Sequence, residues 1–95
     1  MDIGWVAASG HDPVEMIKTY AGRIDLLHVK DMVKDATAPL GYRSVEVGQG
    51  FIDWKAVFAA AHAAKVQGYF IEQEDPYLRP VLDSLRMSAE YVRKL

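Results

Sequence analysis

Three short apolar runs alternate with three segments of helical pattern, and this alternation restricts the fold more than any other feature of the chain. The predicted strands are the tail of a strand at 1–6 (MDIGWV), then 24–30 (IDLLHVK) and 69–73 (YFIEQ). The predicted helices are 13–21, the segment IDWKAVFAAAHAAK and 80–94. Consecutive parallel strands need a crossover connection, which a helix provides with right-handed chirality. The sequence therefore predicts an α/β fold with a parallel sheet and the order β-α-β-α-β-α.

Start and stop signals support the three helices. Asp12 with Pro13 begins the first and Gly22 ends it, while Asp53 is a good N-cap for the second. The second helix has one apolar face, formed by Trp54, Val57, Phe58, Ala61 and Ala64. In the last helix the residues expected to face the core are Leu82, Leu85, Val92 and Leu95. The polar segment before the second helix, with Pro39, Gly41, Gly48 and Gly50, is predicted to be a long loop.

Composition narrows the classes of function. The 95 residues are 51% hydrophobic and 25% charged with a net charge of −2, as in ordinary soluble globular proteins. There is no cysteine, which excludes disulfides and thiolate metal sites. The 11 basic residues are scattered among 13 acidic ones, so no nucleic-acid partner is expected. No apolar run reaches the roughly 20 residues of a membrane span. No membrane partner is expected, and a cytoplasmic location is predicted.

Polar side chains stand where the predicted strands end. Asp2, His28 and Glu72 each precede a loop, at the sheet edge where open α/β sheets and (βα)₈ barrels collect functional groups. Nitrogen and oxygen donors without thiols suit a hard divalent cation, with Mn²⁺ or Mg²⁺ expected before Co²⁺ or Zn²⁺. The alternative is structural, because a single histidine in a strand is more often a core or surface residue than a ligand. Glu72 fits that alternative least, since a buried unpaired carboxylate costs several kcal/mol.

Four motifs carry a resemblance to a known family. MDIGWVAASGHDP, GRIDLLHVKDM, EVGQGFIDW and YFIEQED resemble successive blocks of the sugar phosphate isomerase/epimerase group, the xylose isomerase-like TIM barrels, which include endonuclease IV-like domains. The resemblance covers residues 1–95 as one domain, the C-terminal part of such a barrel, and implies its last three βα units. Complete barrels have roughly 250 residues. The resemblance thus implies five earlier units, one of which carries a further metal-binding glutamate.

The resemblance implies roles for the strand-end residues. Asp2, His28 and Glu72 become metal ligands, and Glu72 is also an acid/base in the epimerase branch. A divalent ion would polarise the carbonyl of a sugar or sugar phosphate and stabilise an enediolate, while a carboxylate moves the proton. Epimerisation needs a second base on the opposite face of the sugar, expected from the strand before Asp2. The 95-residue chain alone is therefore not expected to complete the reaction.

Smaller expectations attach to other positions. Lys30 shares the barrel-facing side of His28, where it would act as a catalytic residue by neutralising an enediolate or substrate anion; the alternative is a solvated lysine. Trp5 and Glu46 are predicted substrate-binding residues, with core packing the alternative for Trp5. Asp31 is expected to orient a loop or a ligand. The glycines of GQG (48–50) expose amides to a phosphate or serve only a turn.

Alternative functions remain open at this point. A keto-sugar lyase or hydratase would use the same metal and enolate chemistry, and a catalytically inactive truncated fragment is the third alternative. Endonuclease IV-type phosphodiesterase activity fits less well, because that chemistry uses more histidine and aspartate ligands than this chain carries. An incomplete barrel leaves an apolar inner face, including Ile24, Leu26 and Phe70, and unpaired strand edges. A homo-oligomer, most simply a two-fold dimer, is therefore predicted.

Overall fold

Two small sheets and four helices make up the fold, and the computed structural model describes all of residues 1–95. In chain order the elements are α1 (Ile3–Ala8), α2 (Pro13–Thr19), β1 (Leu26–Val29), β2 (Asp31–Lys34), β3 (Tyr42–Val45), α3 (Trp54–Ala63), β4 (Gly68–Ile71) and α4 (Val81–Arg93). The predicted α/β class is confirmed. Two of its details, the first strand and the loop before α3, are wrong.

The parallel sheet is centred on β1. On one side β1 pairs with β4 in parallel, with Leu26 opposite Gly68 and Val29 opposite Ile71. On the other side Asp2 forms a parallel bridge with His28, and the His28 amide donates to the Met1 carbonyl over 2.8 Å. Three parallel segments thus lie side by side, and their carboxyl ends meet at one edge of the sheet.

The first predicted strand ends at Asp2 rather than at Val6. Asp2 has extended backbone angles (φ −92°, ψ 109°), and the chain then turns directly into α1. The Asp2 side chain accepts a hydrogen bond from the Trp5 amide over 3.0 Å, which is an N-cap contact. The apolar run after Asp2 therefore forms a short helix. The N-cap contact of Asp2 favours this helix over the predicted extended strand.

An antiparallel hairpin replaces much of the loop predicted before α3. β2 pairs with β3, with Asp31 opposite Val45 and Lys34 opposite Tyr42. A turn with Gly41 at φ +75° closes the hairpin. Its strands are four residues each and partly polar, so they carry little of the alternation that marks a strand. The predicted strand 24–30 consequently ends at Val29, and Lys30 lies between β1 and β2.

The helices begin and end close to the predicted residues. In α4 the prediction is confirmed for Val92, which packs against the core, and Leu85 is partly buried, but the other two predicted core residues are exposed. Leu82 is 71% exposed and Leu95 is also exposed, so their predicted place in the core is wrong. The buried residues of α4 are Ser84 and Ser88. Ser88 Oγ accepts from the Val47 amide over 3.0 Å, so hydrogen bonds explain the burial of this face.

The two faces of β1 have different environments. Leu27 and Val29 point into the core, whose buried members are Ile3, Ile17, Leu27, Val29, Val47, Trp54, Val57, Ala60 and Ala61. Leu26 and His28 point to the other face, where Leu26 is 46% exposed and Phe70 of β4 is 60% exposed. None of the helices has the length and apolar character needed to cross a membrane.

Candidate metal centre

Three nitrogen and oxygen donors meet at the carboxyl ends of the parallel segments. His28 Nδ1 lies 3.6 Å from Asp2 Oδ2 and 3.3 Å from Glu72 Oε2. The Glu72 amide donates to the Val29 carbonyl over 3.0 Å, which holds this residue beside the end of β1. One donor atom from each of Asp2, His28 and Glu72 lies within 4.8 Å of the other two. The structure thus brings the three predicted ligands together, while metal binding itself stays a prediction.

Asp2 divides two tasks between its two carboxylate oxygens. Oδ1 caps α1 by accepting the Trp5 amide. Oδ2 faces His28 and also lies 3.0 Å from the Lys30 ammonium. Because the cap fixes the carboxylate group, the second oxygen is held toward the cluster.

Lys30 places a buried positive charge inside this group. Its side chain is only 2% exposed, so the solvated alternative is wrong. Nζ lies 2.6 Å from Glu72 Oε2 and also donates a hydrogen bond to Glu74 Oε1. Burial lowers the pKa of Lys30, but the close carboxylates of Glu72, Glu74 and Asp2 outweigh it and raise the pKa above its ordinary value of 10.5. Lys30 therefore stays charged at neutral pH. Its stabilising effect is lost only as the pH rises above the ordinary pKa of 10.5 toward the raised folded-state pKa.

Glu74 belongs to the cluster and was missed at the level of sequence. Besides Lys30, its Oε1 accepts a hydrogen bond from the Trp5 indole Nε1 over 3.3 Å. The spacing of the two glutamates could have indicated it. Residues two apart in an extended segment share a side, and Glu74 follows Glu72 by two. Trp5 also lines a cleft of about 210 Å³ beside the hairpin loop and Pro76. Typical ligand pockets measure roughly 300–1,000 Å³, so this cleft would hold only part of a substrate.

The donor set fits a hard divalent cation. One imidazole and two carboxylates without thiolates is a combination that Mn²⁺ and Mg²⁺ accept. Glu72 Oε2 is inaccessible to solvent and receives no hydrogen bond of good geometry, although the Lys30 ammonium is close. This oxygen can bind a cation in place of the Lys30 ammonium. The Lys30 ammonium also shows that a positive charge is accommodated between Asp2 and Glu72.

Asp31 organises the loop before α3 rather than the cluster. Its buried carboxylate accepts from the amides of Met32, Gly48 and Ile52 and from the Trp54 indole Nε1 over 2.8–3.3 Å. A Cβ at position 50 would collide with this carboxylate, so only glycine fits there. The Gly48 amide is thus already engaged, and a turn accounts for GQG without a phosphate.

Glu46 is held at the end of the hairpin against α4. Arg79 Nη1 donates a hydrogen bond to Glu46 Oε1 over 2.6 Å, and Ser84 Oγ donates to the same oxygen over 2.8 Å. Burial raises the pKa of Glu46, but these two donors and its own backbone amide outweigh burial and leave the pKa below its ordinary range. A structural role accounts for these contacts, and substrate binding by Glu46 stays a prediction.

The comparison with protein families agrees with this arrangement of parallel strand ends. The family model for the xylose isomerase-like TIM barrel matches residues 1–95, and the chain belongs to that family. Among curated relatives, it is 30% identical to an inosose dehydratase of Geobacillus kaustophilus, over 99% of this chain and 35% of the relative. A second inosose dehydratase, from Geobacillus thermodenitrificans, is 24% identical over 98% of this chain and 36% of the relative.

Solved structures give the same fold. A crystal structure described as a sugar phosphate isomerase/epimerase from Parabacteroides distasonis superposes with a TM-score of 0.78 and 28% identity, covering 100% of this chain and 30% of that one. Another from the same organism gives a TM-score of 0.76 and 27% identity, over 99% and 29% of the two chains. The chain thus spans about a third of the length of the proteins it matches.

Proposed function

We propose that this chain supplies the metal ligands and one acid/base group of a divalent-metal-dependent sugar or sugar phosphate isomerase/epimerase. The observation that carries the proposal is the convergence of Asp2, His28 and Glu72 at one sheet edge. The proposal draws further support from membership in the xylose isomerase-like family. It covers the metal, Mn²⁺ or Mg²⁺ first, and the class of substrate.

The chemistry of the proposed site is proton transfer next to a carbonyl. A bound divalent cation would polarise the substrate carbonyl and stabilise the negative charge that develops when the neighbouring carbon loses its proton. Glu72 is the proposed base, because its side chain is 40% exposed and lies at the edge of the sheet where the cluster forms. Lys30 supplies a permanent positive charge within the cluster, which favours an anionic intermediate.

Dehydration of a keto-polyol is the second candidate. It is favoured by the curated relatives, which are described as inosose dehydratases. Both reactions begin with removal of a proton beside a carbonyl and differ in the next step. Isomerisation and epimerisation return the proton, whereas dehydration expels a hydroxyl group as water from the neighbouring carbon. The residues of the cluster serve the shared first step in either case.

Calorimetric titration with Mn²⁺ tests the metal ligands. We expect binding weaker than about 1 µM, because three ligands on a short chain make an incomplete site. His28→Ala should weaken it by roughly tenfold or more. His62→Ala is the matched control, since His62 is an exposed residue of α3 outside the cluster. Equal affinity in wild type and His28→Ala would show that the proposed ligands are wrong.

Solvent exchange tests the chemistry with one base only. The chain, Mg²⁺ and a panel of ketoses, ketose phosphates and cyclic polyol ketones are incubated in D₂O, and deuterium at the carbon beside the carbonyl is followed by NMR. Glu72→Gln should lower exchange by at least roughly a hundredfold. Exchange without water loss favours the isomerase/epimerase, and formation of a dehydrated product favours the second candidate. A chain that binds Mg²⁺ but gives no exchange would be an inactive fragment.

A further inference from the structure

The Lys30 ammonium occupies the space that a cation would share with two of the proposed ligands. Nζ lies 3.0 Å from Asp2 Oδ2 and 2.6 Å from Glu72 Oε2. These are the same two oxygen atoms that face the His28 imidazole. Two positive charges cannot both stay in contact with these oxygens without strong repulsion. Lys30 and a divalent cation therefore compete for them.

Lys30 has little room to leave the cluster. Its stem passes against α1, where a Cβ on Gly4 would come within 2.6 Å of Lys30 Cγ and 2.9 Å of the Lys30 carbonyl oxygen. The side chain is otherwise enclosed, with 2% of its surface exposed. Close packing against Gly4 thus restricts rotation of the stem. The shortest shift for the ammonium is among the carboxylates that it already contacts.

Glu74 is the one carboxylate contact of Lys30 outside the group of three proposed ligands. Its Oε1 accepts from Lys30 Nζ, and the Trp5 indole fixes the same oxygen from a second side. Trp5 in turn lies in α1, the helix that Asp2 caps. The position of Glu74 is thus tied to the cluster independently of Lys30.

We propose that Glu74 is a positioning residue that retains the Lys30 ammonium when Lys30 gives up Asp2 and Glu72 to a divalent cation. This inference rests on the proposed metal site and adds a device that sets its affinity. With Glu74 present, Lys30 loses two of its three carboxylate partners and keeps the third. Without Glu74, displaced Lys30 would be a buried unpaired charge, which is costly.

Mn²⁺ calorimetry on four forms of the chain tests this inference. Glu74→Gln should weaken Mn²⁺ binding by about tenfold, within the range of couplings between neighbouring sites. Lys30→Met should strengthen it by a similar factor, because the competing ammonium is gone. In the Lys30→Met background, Glu74→Gln should change affinity by less than about threefold. Glu90→Gln, an exposed acid of α4, is the control for lost negative charge.

The outcomes separate the inference from the proposed site. If Glu74→Gln weakens binding equally with and without Lys30, Glu74 is itself a ligand and the inference is wrong. If wild type binds through His28 but Glu74→Gln has no effect, the inference fails while the metal site stands. If neither wild type nor Lys30→Met binds Mn²⁺, the site itself is wrong.

An independent readout follows the Trp5 indole. Diamagnetic Zn²⁺ is titrated into ¹⁵N-labelled chain, and the indole N–H resonance of Trp5 is expected to shift as Lys30 moves fully onto Glu74. Glu74→Gln should abolish the shift even at saturating Zn²⁺. The Trp54 indole, which donates to Asp31, serves as the internal control. A Trp5 shift that persists in Glu74→Gln would contradict the inference, and this result does not depend on the stability of Lys30→Met.

Discussion

Lys30 and Asp31 are consecutive, oppositely charged and almost completely buried, yet their surroundings differ in kind. Asp31 is surrounded by neutral N–H donors that are themselves fixed in the backbone or in a buried indole. Lys30 is surrounded by three carboxylates whose side chains are 26%, 40% and 31% exposed. A buried charge with a complete, rigid set of partners has nothing left to bind. A buried charge whose partners still reach solvent can give up some of those partners to a ligand.

The largest expected effect comes from removing the Asp31 carboxylate, whose N–H partners form a complete set. Asp31→Ala leaves the amides of Met32, Gly48 and Ile52 and the Trp54 indole without their acceptor, and should lower the free energy of unfolding by about 3–5 kcal/mol. Urea denaturation measures this loss. Asp53→Ala, which removes only the N-cap of α3, is the matched control at about 1 kcal/mol. Equal losses in the two variants would show that Asp31 is not the organising residue.

A smaller loss of stability is expected at Lys30, whose carboxylate partners reach solvent. Lys30→Met leaves three carboxylates close together, but they can hydrate, so the free energy of unfolding should fall by about 2 kcal/mol. A divalent cation at a hundred times its Kd should return about 2.7 kcal/mol, since it binds only the folded chain. Lys18→Met, in an exposed pair with Glu15, is the control and should cost under about 1 kcal/mol with no cation effect. A Lys30→Met chain that no cation stabilises would remove the contrast between the two sets.

The same contrast explains what the sequence predicts and what it does not. The meeting of Asp2, His28 and Glu72 follows from a general property of parallel sheets, so the order of strands was enough to predict it. Caps at Asp12 and Asp53 are local signals, and they placed α2 and α3. The burial of Lys30 depends on carboxylates more than forty residues away in Glu72 and Glu74, and no local pattern encodes that distance.

Two further differences have the same cause. The strand tail at 1–6 was overridden by one contact, the Asp2 cap on the Trp5 amide, which favours a helix after a single extended residue. In α4 the apolar period pointed to Leu82, whereas Ser84 and Ser88 are buried because Glu46 and the Val47 amide require hydrogen-bond partners. Where a polar partner decides burial, hydrophobic period alone does not identify the core.

Glu46 extends the comparison to a carboxylate with one charged partner and one neutral partner. Its folded-state pKa is depressed, so its stabilising effect is present above the ordinary value of 4.5 and is lost as the pH falls through the lower, folded value. Glu46→Gln should therefore cost about 1–2 kcal/mol near pH 7 and progressively less below about pH 4.5. Thermal unfolding across pH 3–7 measures the difference from wild type. Glu15→Gln, on the exposed face of α2, should show no such trend.

The smallest effect concerns the two faces of β1, one packed in the core and one open. On the open face Leu26 and Phe70 remain 46% and 60% exposed, so a second copy of the chain can bury them. We expect the isolated 95-residue chain to form a weak two-fold dimer, and Phe70→Ser to raise its dissociation constant by about tenfold. Sedimentation equilibrium measures both values. Leu40→Ser is the matched control, because Leu40 is 71% exposed in the hairpin loop and lies outside β1 and β4. A wild-type chain that stays monomeric at high micromolar concentration would mean that this exposed face does not drive self-association, and the contrast between the faces of β1 would then concern folding alone.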